Sequence, residues 1–506
     1  MSKRTGILIG LILLYTAVRL WGLADACIWF DEIFSIHAAE HDWAGMFRFV
    51  AQDLVHPPLF YVLLKGWIGL GGEGVFWLRL LPVVFSIAAL VPFLYLCREL
   101  KLAPAVVWLA LLLFAVNGSL IKYTQTLRMY SLLMLLSLTS TWLFARYFNR
   151  GKSWIWLVIV NVLLVYTHYF GWMVVGAEML TILIFQRIKI ARALAMAGVV
   201  FASFIPWLIT VWNAARQGSD IGQNIAWQPR PGPREVFEFL LDLAEPFYFQ
   251  ASNSEPRSIY FVAVPLLLIF LAAVCYLYLR GRQPDEQLSL KFLTVFAVFP
   301  ILAAFVLSWI VPYSVWGTRH LIITTPIISL IIASALSDLP RAWARWASVA
   351  LVVLLIGTAL FLNVRRERPE YVWCAWDSVA NDISQRDNTA TIYALENLTA
   401  YHLWFAVRGN SQITVGVLKG MDVRTADESY FLPRGFGSVK AENIGNIPEK
   451  EFWLAFRTFW NGEEFRTIET FTKLGYFVCP PKRARFDANN VFWIKFTKDQ
   501  AGCPAP

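Results

Sequence analysis

Acidic and imidazole side chains near the start of the chain have the types and spacing that acid–base chemistry needs. Asp31 and Glu32 are adjacent, and Asp53 and His56 come just before a double proline. A carboxylate pair can supply a general base and a partner that positions a substrate or shifts the pKa of the base. The prolines stiffen the backbone, so Asp53 and His56 should project from a rigid turn. The competing interpretation is a solvated acid that caps a helix and an incidental histidine beside a proline turn.

Basic and aromatic side chains later in the chain suit the binding of an anionic group such as a phosphate. The candidates are Arg79, then Lys122, Tyr123, Arg128 and Tyr130 within KYTQTLRMYS, His168 within VYTHYFG, and Arg319 within WGTRHLIITTP. A guanidinium can hold two phosphate oxygens with its fork of N–H donors, which makes Arg128 and Arg319 the strongest candidates. The alternative for each arginine is a place at the membrane interface, where its charged head reaches water beside aromatic rings.

The composition of the chain indicates that membrane-spanning helices must position these residues. Of 506 residues, 58% are hydrophobic and 16% are charged, and the mean hydropathy is +0.53. In a soluble globular chain about a quarter of the residues are charged, whereas a helix needs about 17–25 apolar residues to cross a bilayer. The predicted spans are 6–23, 75–97, 103–120, 129–148, 154–169, 170–185, 193–212, 259–279, 292–311, 321–336 and 347–362. The predicted fold class is therefore a polytopic α-helical membrane protein of about eleven spans.

The distribution of positive charge predicts the orientation of these spans. The net charge is +9, but lysine and arginine concentrate in short loops at 3–4, 98–101, 146–152, 187–192, 280–291 and 341–345. This pattern is typical of cytoplasmic loops and not of a nucleic-acid-binding surface. We therefore predict a multi-pass protein of the plasma (inner) membrane, whose cytoplasmic N-terminus leads into a retained first span. The loop 24–74, the loop 213–258 and the C-terminal segment should then lie outside.

The first outer loop and the C-terminal segment have predicted structure of their own. Apolar residues recur at helical spacing through 33–50, Asp42 is placed to cap a second short helix, and Pro57-Pro58 suits the first turn of a third. These helices should lie along the membrane surface. Residues 1–366 are predicted to form the membrane domain and 367–506 an extracytoplasmic α/β domain with a structural or acceptor-guiding role. Its predicted helices are 377–384 and 398–407, and its predicted strands are 391–395, 412–417, 452–456 and 491–496.

Cysteine usage is compatible with an oxidising compartment outside the membrane. Cys27, Cys374, Cys479 and Cys503 fall in the outer segments, where one disulfide could form, but the sequence leaves the pairing open. The other two cysteines fall in predicted spans, where a thiol is an ordinary apolar group. No cysteine spacing resembles a zinc site.

A histidine pair in the first outer loop matches a known metal-binding pattern. His37, Glu40 and His41 fit H-x-x-E-H, which places two zinc ligands on one face of a helix in some proteases. Five-residue patterns recur by chance, and no third ligand in the usual context is evident. A membrane metalloprotease is therefore the weaker hypothesis.

Taken together, the outer-loop motifs resemble those of GT-C membrane glycosyltransferases, in particular the protein O-mannosyltransferase and lipid A aminoarabinose transferase superfamily (glycosyltransferase family 39-like). Asp31-Glu32 resembles the acidic pair of the family's first outer loop, and Asp53-Leu-Val-His56-Pro57-Pro58 resembles the element that follows it. Arg128-Met-Tyr130 is similar to the arginine–tyrosine element of the fourth span. Arg319-His320 is similar to the later arginine–aromatic element, with histidine where tyrosine is common. The resemblance covers the membrane domain and not the C-terminal domain.

This resemblance implies transfer of a sugar from a polyprenyl-phosphate donor to a lipid, glycan or protein acceptor at the outer face of the membrane. It implies inversion at the sugar carbon, with Asp31 as the general base and Glu32 as its partner. The substrate-binding candidates are Asp53, His56, Arg79, Lys122, Tyr123, Arg128, Tyr130, His168 and Arg319. Membrane lipids would surround the helices that hold the polyprenyl tail. No cofactor is expected, and a divalent metal is compatible with the pattern but not required by it.

Two other classes of protein share part of this pattern. A transporter or flippase of a lipid-linked substrate would share the spans and the basic groups, but it would not need the acidic first-loop motifs. Alternating access also tends to leave inverted repeats with broken spans, and no such repeat is evident. A catalytically inactive scaffold is the third hypothesis, against which the intact first-loop motifs argue.

Overall fold

The computed structural model describes residues 3–218, 221–247, 260–280, 284–365, 372–419, 436–458, 464–486 and 489–503. Helices make up most of the chain up to residue 365. In chain order these helices are α1 (Lys3–Leu20), α2 (Phe30–Glu40), α3 (Trp43–Asp53), α4 (Leu59–Gly71), α5 (Val75–Ala88), α6 (Leu90–Glu99), α7 (Pro104–Val116), α8 (Gly118–Thr124), α9 (Tyr130–Arg150), α10 (Trp154–Thr167), α11 (Gly171–Phe185), α12 (Ile190–Arg216), α13 (Gly222–Ile225), α14 (Pro233–Ala244), α15 (Tyr260–Leu279), α16 (Pro284–Ile310), α17 (Thr325–Ser337) and α18 (Ala342–Arg365).

The helices account for every predicted span. Within the described part of the chain, six helical segments are long and apolar enough to cross a membrane: Val75–Glu99, Tyr130–Arg150, Arg187–Arg216, Tyr260–Leu279, Gln287–Ile310 and Ala342–Val364. The other predicted spans fall on α1 and on the shorter apolar helices α7, α10, α11 and α17. Their buried apolar side chains form one continuous core. The predicted polytopic helical fold class is therefore confirmed.

Three short helices, α2, α3 and α4, form the segment that the sequence predicts to be the first outer loop. Asp42 caps α3 as predicted, because its Oδ1 accepts a hydrogen bond from the Gly45 backbone N–H at 2.6 Å. Helix α4 begins directly after Pro57-Pro58, where a missing N–H costs no helical hydrogen bond. Helix α3 is followed by its C-cap residue Leu54, which has a left-handed backbone with φ of 60°. This conformation turns the chain sharply just before the double proline.

The C-terminal segment forms an α/β domain around one sheet. Its helices are α19 (Ala375–Arg386), α20 (Asn397–Val407) and α21 (Glu464–Lys473), and its strands are β1 (Ala390–Ala394), β2 (Ile413–Lys419), β3 (Val439–Asn443), β4 (Glu451–Arg457), β5 (Phe477–Val478), β6 (Lys482–Phe486) and β7 (Asn489–Thr497). The strand order is β3-β2-β1-β4-β7-β5, with β6 also paired to β7. Strands β1, β2, β3 and β4 pair with one another in parallel, whereas β7 is antiparallel to β4.

The predicted elements of this domain are present, and four others escaped prediction. Each predicted helix and strand overlaps one of the observed elements, whereas α21, β3, β5 and β6 were not predicted from the sequence. The three strands among them are positioned by pairing, β3 with β2 and both β5 and β6 with β7. The predicted boundary between residues 366 and 367 lies outside the described residues.

Two disulfides link the segments that the sequence predicts to lie outside, where it suggested one. Cys27 is bonded to Cys374, and Cys479 is bonded to Cys503. The first pair lies 347 positions apart in the sequence, so only the folded chain reveals it. It joins the segment just before α2 to the start of the C-terminal domain.

Non-covalent contacts hold the other parts of α2 against the same domain. The ring of Trp29 packs edge-on against that of Trp373, with centroids 5.6 Å apart. At the opposite end of α2, Arg408 of the C-terminal domain forms an ion pair with Glu40, the last residue of the helix. Arg408 also forms an ion pair with Glu73, which follows α4. The C-terminal domain therefore contacts α2 at both ends.

We expect Cys27→Ser to lower the thermal stability of the purified protein, because removal of a native disulfide typically costs about 2–5 kcal/mol. Thermal unfolding under non-reducing conditions measures the change. Cys275→Ser is the matched control, since Cys275 is an exposed free thiol. Equal unfolding temperatures for both variants would show that the bond contributes nothing to the attachment of the domain.

Candidate active site

Asp31 lies in the first turn of α2, where two arginines from distant parts of the chain converge on it. Its Oδ2 lies 3.6 Å from Arg319 Nη1, and its backbone carbonyl accepts a hydrogen bond from Arg128 Nη1 at 3.1 Å. The side chains of Asp31 and Arg319 are 28% and 27% exposed, so both can contact a ligand. The separation of 3.6 Å exceeds hydrogen-bond length, which leaves Arg319 able to donate to another anion.

Arg128 precedes α9 and reaches across to the first outer loop. Its Nη1 also donates to Ser35 Oγ at 3.2 Å and to Tyr61 OH at 3.3 Å, and its Nη2 lies 3.2 Å from His56 Nε2. Its buried Nε has no hydrogen-bond partner among the described residues. The bonds of the two Nη atoms hold Arg128 in place, while its buried Nε–H is a donor that the described residues leave unsatisfied, which is energetically costly.

Asp53 and His56 form a hydrogen-bonded pair behind Arg128. Because His56 Nε2 accepts from Arg128, we assign the proton of the neutral ring to Nδ1, which donates to Asp53 Oδ2 at 2.7 Å. Burial, followed by the charge of Arg128, lowers the pKa of His56 well below its usual value. The ring is therefore neutral near pH 7 and presents a lone pair to Arg128.

The pKa values of the two aspartates move in opposite directions. Burial acts to raise the pKa of Asp31, but the charges of Arg128 and Arg319 outweigh it and hold that pKa below its usual value. Burial raises the pKa of Asp53 to about 7, and the charge of Asp31 adds to this rise while Arg128 opposes it. Carboxylates whose pKa values are pushed apart in this way are typical of acid–base sites.

Any activity of this site should increase as the pH rises through about 7, because only ionised Asp53 fully accepts the Nδ1–H of His56. The stability of the fold should change in the opposite direction. Because folding raises the pKa of Asp53 from 3.8 to about 7, the folded protein keeps a proton that the unfolded chain releases, and stability falls as the pH rises from about 4 to about 7. Initial rates measured on both sides of pH 7 should show the step, and Asp53→Asn should flatten it. A step that persists in Asp53→Asn would belong to another group.

Glu32 and Arg79 form a buried ion pair on the other side of α2. Arg79 Nε and Nη2 donate to the two Glu32 oxygens at 2.9 and 2.7 Å, and the backbone N–H groups of Trp29 and Leu127 donate to them as well. Glu32 is only 1% exposed. The remaining N–H groups of Arg79 donate to backbone carbonyls of the segment that precedes α2. All five of its donors are thereby used. Both residues are buried, and their mutual contacts hold α2 against α5.

Three predicted residues lie at one edge of the site. The ring centroid of Tyr130 lies 5.2 Å from that of Tyr123 and 6.1 Å from that of His320. Lys122 Nζ lies 5.5 Å from the Tyr123 ring centroid. Lys122 and Tyr123 belong to α8, and Tyr130 is the first residue of α9.

Three histidines lie together beside Arg128. The ring of His168 lies 5.7 Å from that of His56 and 4.8 Å from that of His320. His168 Nδ1 accepts a hydrogen bond from the Phe170 N–H at 3.1 Å, which places the proton of the neutral ring on Nε2. His168 Nε2 and His320 Nδ1 are both buried without a partner in the part of the chain that the structure describes. Each can serve a ligand.

The H-x-x-E-H pattern has other partners in the structure. His37 Nδ1 lies 2.8 Å from Tyr401 OH, and His41 Nδ1 donates to the His37 carbonyl at 2.8 Å. Glu40 pairs with Arg408 of the C-terminal domain. No three His, Cys, Asp or Glu side chains among the described residues come together in a way that could hold a metal ion. The pattern serves the contact between two domains.

Several residues at the site were not selected from the sequence. Ser35 and Tyr61 contact Arg128, Asn224 contacts Asp53, and the Trp227 ring faces Arg319. Ser35 follows Asp31 by one helical turn, which was a usable signal. The other three are placed only by tertiary structure, and nothing in their local sequence marks them.

Comparison with known proteins identifies the fold. No family model and no curated protein matches the chain by sequence. Among solved structures, ArnT from Cupriavidus metallidurans bound to undecaprenyl phosphate has a TM-score of 0.59 and 14% sequence identity, covering 99% of this chain and 100% of that chain. The archaeal oligosaccharyltransferase AglB from Archaeoglobus fulgidus, in complex with an inhibitory peptide and a dolichol-phosphate, has a TM-score of 0.51 and 12% identity, covering 99% and 75%.

The chain has the GT-C fold. The apo state of the same ArnT matches equally well, with a TM-score of 0.59 over 100% of both chains. Because the match with ArnT extends over nearly all of this chain, it includes the C-terminal domain, for which the sequence motifs carried no family resemblance. The resemblance predicted from the outer-loop motifs is thereby confirmed at the level of the fold.

Proposed function

We propose that this protein is an integral membrane glycosyltransferase that moves a sugar from a polyprenyl-phosphate donor to a lipid, glycan or protein acceptor at the outer face of the membrane. The observation that carries the proposal is the convergence of two arginines on Asp31: Arg319 faces its partly exposed carboxylate, and Arg128 donates to its backbone carbonyl. The ArnT structure contains undecaprenyl phosphate, and the AglB structure contains a dolichol-phosphate, which supports a lipid phosphate as the donor carrier.

In the proposed reaction the acceptor displaces a phosphate from the anomeric carbon of the sugar, with inversion. The new bond forms between the acceptor atom and that carbon while the bond from carbon to phosphate oxygen breaks. The electron pair stays with the phosphate, and the proton of the acceptor passes to Asp31. The low pKa of Asp31 keeps this carboxyl ionised and able to take a proton at neutral pH.

The two arginines suit the charge that develops on the leaving group. The phosphate gains one unit of negative charge when the sugar departs, so Arg128 and Arg319 bind the transition state more strongly than the ground state. Such differential binding is what accelerates a reaction. The unpartnered Nε of Arg128 and the exposed face of Arg319 are the donors available for it.

Arg319 also links donor binding to the strength of the base. In the free protein it lies 3.6 Å from Asp31 and helps to lower the pKa of that carboxyl. A donor phosphate that draws Arg319 away would allow the pKa to rise, which makes Asp31 a stronger base when the donor is in place. Binding of the donor would thus activate Asp31 as the base.

The other candidate residues support this machinery. His168, Tyr130, Tyr123 and Lys122 would contact the sugar phosphate at the edge of the site, and Asp53 and His56 would orient Arg128. For Arg79 we propose a positioning role together with Glu32 instead of a direct phosphate contact, because all of its donors are used. No step of the proposed mechanism requires a metal ion.

Transfer can be tested with the purified protein in liposomes that contain a polyprenyl-phosphate sugar and an extract of cell-envelope acceptors. We expect mass spectrometry to detect free polyprenyl phosphate and a sugar-modified acceptor. Mass spectrometry of sugar-modified lipids and proteins from cells with and without the gene would identify the acceptor. Movement of the intact lipid across the bilayer with no release of sugar would instead support a flippase and overturn the proposal.

A further inference from the structure

One short segment of the second outer loop, 221–228, contacts both halves of the candidate site. Asn224 Nδ2 donates to the backbone carbonyl of Asp53 at 2.6 Å and to its Oδ1 at 3.1 Å. Three residues later, the Trp227 ring centroid lies 5.5 Å from Arg319 Cζ, within the range of a cation–π contact. Neither residue belongs to a motif that the sequence marks as functional.

The backbone around Asn224 is held in place by its own neighbours. Trp227 Nε1 donates to the Asn224 carbonyl at 2.9 Å, and the Gln228 N–H donates to the Ile225 carbonyl at 3.0 Å. Gly222 packs against the Tyr313 ring so closely that a Cβ there would overlap it. The amide of Asn224 is therefore presented to Asp53 from a defined turn.

We propose that Asn224 is a positioning residue that aligns Arg128 for the leaving phosphate through a chain of hydrogen bonds, Asn224 to Asp53, Asp53 to His56 and His56 to Arg128. This inference rests on the proposed function. The chain engages both carboxylate oxygens of Asp53: one accepts a hydrogen bond from Asn224 and the other accepts one from His56. The fixed ring of His56 then presents Nε2 to Arg128 at 3.2 Å.

The chain works only if residue 224 donates. Both N–H groups of the Asn224 amide can be used, one on the carbonyl and one on the carboxylate of Asp53. An aspartate at this position has the same shape but would bring a second carboxylate against Asp53. Asp53 would then move away or take up a proton, and either change would release His56 and, with it, Arg128.

The test compares Asn224→Asp with Asn213→Asp in the purified full-length protein. Asn213 is exposed near the outer end of α12, so its substitution adds the same negative charge to the same surface without touching Asp53. Two quantities are measured for the folded fraction of each variant: the affinity for polyprenyl phosphate, and kcat and KM for transfer. Asn224→Ala serves as a second variant if Asn224→Asp does not fold.

We expect Asn224→Asp to weaken polyprenyl phosphate binding and to lower kcat by about 10–100-fold, the usual weight of hydrogen bonds to a charged group. The KM for the acceptor should stay unchanged because Asp31 is not part of the chain. Combining Asn224→Asp with Asp53→Asn restores one donor–acceptor pair and should recover part of the phosphate affinity.

Three results would overturn the inference: wild-type phosphate affinity in the folded Asn224 variants, an equal loss in Asn213→Asp, or no recovery in the double variant. A purely structural role for Asn224 would lower the unfolding temperature and leave the phosphate affinity of the folded fraction unchanged. Failure of the wild-type protein to transfer sugar would reject the proposed function. The phosphate-binding comparison would still decide whether Asn224 acts on Arg128.

Discussion

Replacement of Asp31 by asparagine is expected to slow sugar transfer by about 10²–10⁴-fold, which is the usual contribution of a positioned general base. Asparagine keeps the size of the side chain and the backbone carbonyl that Arg128 contacts at 3.1 Å, but it cannot take the proton of the acceptor. Loss of the carboxylate also removes the ion pair with Arg319. The affinity for polyprenyl phosphate should therefore stay the same or increase.

Transfer and phosphate binding must be measured separately to make this test decisive. Asp42→Asn is the matched control from the same loop, because Asp42 caps α3 and asparagine caps a helix about equally well. It should retain full transfer. Full turnover by Asp31→Asn would remove Asp31 as the base, and loss of phosphate binding together with transfer would mean that the substitution had disturbed the site itself.

The parts of the fold that sequence predicted correctly are those governed by local chemistry. The apolar runs locate the membrane helices because a bilayer requires a minimum length of apolar helix. The cap at Asp42 and the helix start after Pro57-Pro58 follow from the hydrogen-bonding needs of a single helix end. In each case the determining atoms lie within a few residues of one another.

The parts that sequence could not predict depend on partners far along the chain. The bond between Cys27 and Cys374 and the contact between Asn224 and Asp53 join segments that only the folded chain brings together. The first-loop motif and the two arginines could be named from their residue types, but their distances could not. Conversely, the H-x-x-E-H pattern looked chemical and serves a domain contact, because Glu40 pairs with Arg408.

The adjacent acids Asp31 and Glu32 illustrate how helix geometry separates roles. Consecutive residues on a helix do not face each other, so one side chain of this pair can face the pocket while the next faces the protein interior. Asp31 is 28% exposed and meets Arg319, whereas Glu32 is buried against Arg79. Sequence treats the pair as one motif, but the structure gives its members different tasks.

The second large effect is therefore expected from Arg79→Met, which should destabilise the fold by about 3–5 kcal/mol. Removing one partner of a buried ion pair leaves the other charge without compensation. Here the uncompensated group is Glu32, and the carbonyls of Leu23, Ala26 and Cys27 also lose their donors. Thermal or denaturant unfolding in detergent measures the loss. Arg98→Met, which makes the same change at an exposed position of α6, should unfold like the wild type.

A double variant separates the positioning role of Arg79 from a phosphate contact. If the pair acts as a unit, Glu32→Leu combined with Arg79→Met should cost less stability than the two single changes added together, since no unpaired charge remains. The backbone carbonyls that Arg79 satisfies would keep the recovery partial. A direct phosphate contact predicts the reverse pattern for Arg79→Met: an unchanged unfolding temperature and weaker binding of polyprenyl phosphate. Because every donor of Arg79 is already used within the protein, we expect the loss to appear in stability and, through displacement of α2, in the position of Asp31.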